Sequence, residues 1–223
     1  MEVVSNGDEL LDVLDGDGNF TGRKPRSLVH RDHDRHGLVF VWSAWVRGGR
    51  GVMVLQRRGR SGDPYAAHVD ALAGGHIGAG ETPVEAALRE LEEEAGVAAS
   101  AHDFVRLGSS RMDRPTGDCR KVVQHLLLYP LPLELARLRF NDEVDGFVEV
   151  DLDEFSSLVL GARASIRARA RVAGGDGIAQ TQLPRSAVGG YPDAILDTFR
   201  RSLASIQGWL REGRVDPAHF ASG

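Results

Sequence analysis

The chain has a single cysteine, Cys119, among its 223 residues, so no disulfide can form within it. One lone thiol fits a reducing compartment, and a cytoplasmic protein is the expectation. No apolar run reaches the length needed to span a bilayer. The first residues, MEVVSNGDELLDVLDGDG, are acidic and lack the apolar core of a secretory signal. Nor is there an excess of positive charge. Lys and Arg number 27 against 32 Asp and Glu, the net charge is −5 and the pI is about 5.9. That balance argues against a nucleic-acid polymer as partner. No internal repeat is visible. What remains is a composition ordinary for a globular protein, 42% apolar and 26% charged, with length for one domain plus extensions.

Against this plain background one segment stands out, GGHIGAGETPVEAALRELEEEAGV, running from Gly74 to Val97. Thr82-Pro83-Val84-Glu85 has the form of a capping box: Thr82 as N-cap, Pro83 where its missing N–H costs nothing, and Glu85 reaching back. Val84, Ala87, Leu88, Leu91 and Ala95 recur at helical spacing and predict one apolar face. Gly96 is placed to end the helix in a left-handed conformation. Glu90, Glu93 and Glu94 fall together on another face, because residues three and four apart are helix neighbours. Glu92 and Glu85 point elsewhere and read as solvent-facing or capping. Like charges that close repel, and a hard divalent ion such as Mg²⁺ or Mn²⁺ would neutralise them. A solvated acidic face is the competing reading of the cluster alone.

The wider spacing decides between them. Gly75, five residues, Glu81, seven residues, Arg89-Glu90-Leu91, one residue, Glu93-Glu94, one residue, Gly96-Val97 resembles the signature of the Nudix hydrolases at every fixed position. The resemblance implies an α/β/α sandwich with a mixed β-sheet over roughly residues 36–160 and a catalytic helix following the signature loop. It also implies Mg²⁺-dependent hydrolysis, with Mn²⁺ as a substitute, of a nucleoside diphosphate linked to another group, or of a similar organic diphosphate. Glu90, Glu93 and Glu94 would hold the metal, joined by the Gly75 carbonyl. Arg89 would orient the carboxylates, and Glu81 would support them. Glu143, in Asn141-Asp142-Glu143, is the candidate general base, with Asp142 second; a solvated loop is the plain alternative. The partner implied is a small-molecule diphosphate, with neither membrane nor nucleic acid expected and a homodimer left open.

Phosphate oxygens call for cations. Arg57, Arg58 and Arg60 follow a strand directly, and Arg111, Arg114, Arg120 and Lys121 flank a polar loop. Arg57, Arg58 and His76 are the substrate-binding candidates. Residues 11–15, Thr21-Gly22, the run Val29 to His36 and Leu55-Gln56-Arg57-Arg58 look like the branch related to isopentenyl-diphosphate isomerase. Those isomerases bind metal through upstream histidines and one in the signature loop, an outline that His30, His36 and Gly75-His76 fit. His33 lies in the same run. For His30, His33 and His36 an ordinary loop hydrogen bond is the plain alternative, whereas His76, in the signature loop, is the one expected to touch the site. The isomerase chemistry itself does not carry over. Gly74 stands where its cysteine would be, and Val122 and Val123 stand where carboxylates would. Hydrolysis is therefore favoured, with isomerase as the alternative and a catalytically silent binding module of the same fold as a third reading.

Periodicity supplies the rest. Residues 10–14 and 20–22 predict a hairpin across Asp15-Gly16-Asp17-Gly18-Asn19. The acidic spacing there is not a calcium loop, since Phe20 and Arg26 occupy its glycine and final acidic positions. Strands are predicted over 38–46, 52–56, 68–74, 104–110, 122–129 and 144–150, and a short helix over 152–160. Three regions follow: residues 1–35, an N-terminal hairpin extension; 36–160, the Nudix hydrolase domain; and 161–223, a Gly-rich mobile loop with a C-terminal helix packed on the core.

Overall fold

The structure is a computed structural model and describes residues 9–59, 64–114 and 120–220. Arg60 and Cys119 lie outside the described residues. The chain opens with an antiparallel hairpin, β1 (Leu10–Leu14) and β2 (Phe20–Pro25), closed by Asp15, whose carboxylate accepts from the Asp17 and Asn19 N–H groups at 2.8 and 2.9 Å. A short helix that periodicity did not predict follows, α1 (Arg26–Asp32), with Val29 as its one buried residue. His33 ends it at φ 56°, in the left-handed region.

The large sheet is built from β3 (His36–Arg47), β4 (Arg50–Arg58), β7 (Val105–Asp113), β8 (Lys121–Tyr129), β9 (Val144–Asp151), β10 (Ser165–Val172) and β11 (Ile178–Pro184) in the order β11-β10-β9-β4-β3-β8-β7. The two short strands between β4 and β7 are β5 (Val69–Asp70), pairing with β4, and β6 (Ala73–His76), pairing with β3. The expected single strand over 68–74 is thus two, interrupted at Ala71-Leu72. Every pairing is antiparallel except β3 with β8, which run parallel from His36↔Val122 to Ser43↔Tyr129.

Alternation along β3 sorts the two faces. Val39 and Val41 join Leu91, Ala86 and Ala87 of helix α2 (Pro83–Ala95) in one core. Trp42 and Ala44 join the opposite core, beneath α3 (Leu152–Val159) and α5 (Asp193–Glu212). A one-turn helix α4 (Ser186–Gly189) precedes α5. Leu196, Phe199, Leu203 and Ile206 form the buried stripe of α5, and each such side chain removed from water contributes about 1.5–3 kcal/mol. The result is a mixed α/β protein with helices on both faces of a mixed sheet.

The Gly-rich stretch expected to be a mobile loop is a correction. Residues 178–184 form β11, paired residue by residue with β10 from Ser165↔Pro184 to Arg171↔Ile178. As the edge strand it needs no apolar alternation, and most of its residues are exposed. Among the described residues no helix is long and apolar enough to cross a membrane.

Candidate active site

Helix α2 forms where the sequence places it. Thr82 accepts from the Glu85 N–H while the Glu85 carboxylate accepts from the Thr82 N–H at 2.8 Å, and Gly96 closes the helix at φ 68°. The buried residues of α2 are Ala86, Ala87, Glu90, Leu91, Glu94 and Ala95; Val84 and Leu88 are half-buried. Two of the three clustered glutamates are therefore inside the protein, Glu90 at 9% and Glu94 at 4% exposure, and only the Glu93 side chain is open to solvent, at 58%.

β6 brings the backbone of Gly74 and Gly75 against these carboxylates. The Gly74 N–H donates to Glu94 Oε2 at 2.8 Å, and Gln56 Nε2 donates to the same oxygen at 3.3 Å. A Cβ on Gly75 would stand 2.5 Å from the Glu90 carboxyl carbon, so only glycine lets the helix approach this closely. Arg89 ties the loop to the helix. Its guanidinium donates to both oxygens of Glu81 at 3.0 and 3.1 Å, to Glu90 at 2.8 Å, to Glu93 at 3.4 Å and to the His76 carbonyl at 2.9 Å. Glu81 in turn accepts from the Gly78 N–H at 2.8 Å. Arg89 thus bridges Glu81 and the His76 carbonyl of the loop to Glu90 and Glu93 of the helix.

Burial drives the electrostatics. Desolvation, reinforced by the neighbouring Glu90, pushes the Glu94 carboxyl up to about 8. Glu90 is also raised by burial, against the pull of Arg89. The guanidinium of Arg89 is held firmly in its charged form, first by its bonds to Glu81. Two buried carboxylates on one side of a helix, opposed by a single arginine, are an oxygen donor set short of positive charge. That suits a hard divalent cation.

The three histidines converge beside this cluster. His30 Nε2 and His76 Nε2 are 3.0 Å apart, and the rings of His30, His36 and His76 have centroids 5.0 to 5.4 Å from one another. His36 Nδ1 meets the Asp34 carbonyl at 3.0 Å, and its Nε2 is buried with no partner among the described residues. Burial lowers His36 to about 4 and pushes His76 down further. Three imidazoles with one nitrogen each within 4.8 Å of the others fit a metal that prefers nitrogen. Val122, where the resemblance to the isomerases would place a carboxylate, lies opposite His36 in the sheet. His33 stays outside the group.

The acidic cluster, His30 and His76 line one cavity of about 630 Å³. Glu90, Glu93, Glu94, Arg89, Gly75, His76, Arg58, Arg114 and Glu143 all face it. Asn141 tethers the Glu143 loop to α2, donating to the Glu93 carbonyl at 3.2 Å and accepting from the Glu143 N–H at 2.9 Å. Asp142 is exposed and does not line the cavity. Arg57 is a second correction. It lies outside the cavity lining, held by both oxygens of Asp145 at 2.5 and 3.0 Å. Neighbouring strand residues point to opposite faces, so Arg57 and Arg58 cannot both turn to the site. Arg58 is the one that does, 3.2 Å from Asp70. Arg111 is taken up by the carbonyls of Gly16 and Asp17. Gln56, Asp70, Gln124 and Tyr191, which sequence reasoning missed, also line the cavity. Gln56 and Asp70 carried a signal, a polar residue within an apolar strand.

Comparison with known proteins identifies the family. The NUDIX domain family model matches residues 37–170. Nudix hydrolase 3 of Arabidopsis thaliana is 33% identical over 160 residues, 68% of this chain but 20% of that protein. An isopentenyl-diphosphate Delta-isomerase of Cutibacterium acnes is 32% identical over 93 residues, 42% of this chain and 46% of that protein. The chain thus spans less than half the length of these two relatives. A crystal structure from Deinococcus radiodurans superposes with a TM-score of 0.52 at 20% identity, covering 75% of this chain and 94% of that one, which shows a shared fold. The fold, the loop-helix signature and the family match define a Nudix protein. The chain belongs to the Nudix hydrolase family.

Proposed function

We propose that the chain hydrolyses a nucleoside diphosphate linked to a second group, or a closely similar organic diphosphate, using a divalent metal held by Glu90, Glu93, Glu94 and the Gly75 carbonyl. The observation that carries this reading is the pair of buried carboxylates, Glu90 and Glu94, packed against Gly74 and Gly75 at the cavity. Mg²⁺, with Mn²⁺ as substitute, would neutralise diphosphate oxygens there and acidify a bound water. Arg89 keeps the carboxylates in register through its bonds to Glu81 and Glu90. Glu143 takes the proton of the attacking water as the water oxygen joins phosphorus and the bridging P–O bond breaks. Arg58, with Arg114 beside the cavity, receives the phosphate oxygens. Arg57 is not part of this set, because Asp145 holds it.

Gly74 speaks against isomerisation. A Cβ there would lie 2.8 Å from the Phe40 ring and 2.9 Å from the Val39 carbonyl, so the backbone leaves no room for a cysteine side chain. The test is a Mg²⁺ assay of phosphate and nucleotide release over a panel of diphosphate derivatives, with isopentenyl diphosphate included. Turnover should vanish with chelator and return with Mg²⁺ or Mn²⁺, and isopentenyl diphosphate should stay unisomerised. Full turnover in excess chelator, or isomerisation at an enzymatic rate, overturns the reading.

A further inference from the structure

The cavity has a second end that the acidic cluster does not explain. Leu38, Phe40 and Trp42 of β3, together with Val122 and Leu126 of β8, make an apolar floor, and α5 covers it with Ile195, Thr198 and Phe199. Phe199 meets Trp42 edge-on at 5.0 Å. Helix α5 begins at Asp193, beyond the residues 37–170 that the family model matches, so this wall is not part of the shared catalytic unit.

One group on this floor is out of character. Gln124 lies between Val122 and Leu126 on the same face of β8 and is 5% exposed. Its carbonyl oxygen is occupied twice, by the Ser110 hydroxyl at 3.3 Å and by the Thr198 hydroxyl at 3.2 Å. The same Thr198 hydroxyl lies 3.2 Å from the Ala194 carbonyl of its own helix, so its one proton is shared between the two oxygens. The amide is thereby gripped between a strand on one side and a helix on the other, and its NH₂, which has no partner among the described residues, remains for whatever fills the cavity. A saturated hydrocarbon lying on this floor would leave that donor desolvated and unpaired, a costly arrangement. A planar ring with acceptor atoms on its edge would satisfy it while its faces rest on the apolar and aromatic side chains.

We propose that Gln124, clamped by Thr198 of the C-terminal helix, reads the polar edge of a flat heteroaromatic group, such as a nucleobase, lying between β3, β8 and α5. This rests on the hydrolase reading above and adds which part of the substrate is selected and by which residues. Gln124 is the specificity-determining contact, and Thr198 is a positioning residue acting through it.

The experiment compares wild type, Gln124→Leu and Thr198→Val on ADP-ribose, GDP-mannose, UDP-glucose and geranyl diphosphate with Mg²⁺. Both substitutions keep side-chain volume close to the original, and thermal melts verify folding. The wild type should prefer at least one base-bearing substrate to geranyl diphosphate. Gln124→Leu should raise KM for that substrate about 2- to 10-fold, the scale of one lost uncharged hydrogen bond, with kcat changed much less. Thr198→Val should shift KM in the same direction by a smaller factor. KM for geranyl diphosphate should not rise in either variant. The proposal is overturned if geranyl diphosphate is the best substrate, or if both variants fold and keep the wild-type preference. If no compound is turned over, it is the hydrolase reading that fails. Calorimetry in the same buffer then decides the recognition claim: nucleotide binding weakened by Gln124→Leu upholds it, and absence of nucleotide binding overturns it.

Discussion

Gly75→Ala isolates one close contact within the proposed metal site. The glycine lies in β6, and its backbone is not in the left-handed region, so alanine meets no conformational penalty there. What it meets is Glu90, whose carboxyl carbon would be 2.5 Å from the new methyl group. Carbon atoms settle at about 3.5–4.0 Å, so the carboxylate must withdraw by roughly an ångström. It is the far end of a flexible side chain and can do so. The cost to stability is small: a charge-assisted bond to Arg89 is weakened, at about 1.5–3 kcal/mol if lost outright. Replacing a strand glycine returns about 0.4–1 kcal/mol. The thermal midpoint should fall by no more than about 10 °C, at 2–4 °C per kcal/mol for a chain of this size. Activity should fall far more, by about 10²-fold, the scale set by a 1 Å misplacement in a catalytic site. The assay is kcat/KM with saturating Mg²⁺ beside a melting curve of the chelated protein. Activity within threefold of wild type in a folded Gly75→Ala protein would refute the claim that Glu90 must hold its place. A collapse of the midpoint would show that the backbone, not the carboxylate, takes up the clash.

Other expectations follow from the same geometry. Glu93 lines the cavity and Glu92 does not, so Glu93→Gln and Glu94→Gln should each lower kcat by about 10²–10³-fold, the scale of a lost electrostatic contact. Glu92→Gln should be near neutral, and equal damage from all three would overturn the assigned helix phase. In the chelated protein Glu94 keeps its proton up to about pH 8, against 4.5 in an unstructured chain. The native state then binds the extra proton between those values, so this contribution to stability is full below pH 4.5 and is lost as pH rises through 8. The difference in midpoint between wild type and Glu94→Gln, followed from pH 4.5 to 9, should move against wild type as pH rises, and a flat difference would contradict the burial argument. Arg57→Ala should leave KM within about twofold, because Asp145 already holds that guanidinium; its measurable effect should be a modest loss of stability, about 1 kcal/mol or less for a half-exposed pair.

How far the sequence could be read follows from how local each feature is. Helix α2 was legible to the residue because Thr82, Pro83, Glu85 and Gly96 act within one turn of its ends. The hairpin and the central strands were legible through Asp15 and through runs such as residues 38–46. β10 and β11 were not, because Ala/Arg alternation and a Gly-rich edge bury little, and the hydrogen-bonded register that makes them strands leaves no mark in composition. Helix α1 escaped because seven residues with one buried valine carry no period. At the site, the cluster on α2 was read from spacing, but Arg57 was misplaced because Asp145, its partner, sits on a strand far along the chain. The Gln124–Thr198 clamp was invisible for the same reason. Neither residue is unusual alone, and only the packing of α5 on β8 brings them together.

The parallel pairing of β3 with β8 has a consequence for how the molecule is made. Parallel neighbours require a long crossover, so the middle of the sheet cannot close until the chain has been synthesised through Tyr129. The loop, α2 and its carboxylates are complete well before then. Leu38, Phe40 and Trp42, which α5 finally covers, wait until the last helix emerges. A ribosome-bound chain ending short of Asp193 would carry the finished acidic cluster beside a bare apolar row. Such an intermediate would be adhesive, prone to self-association, and suited to a chaperone.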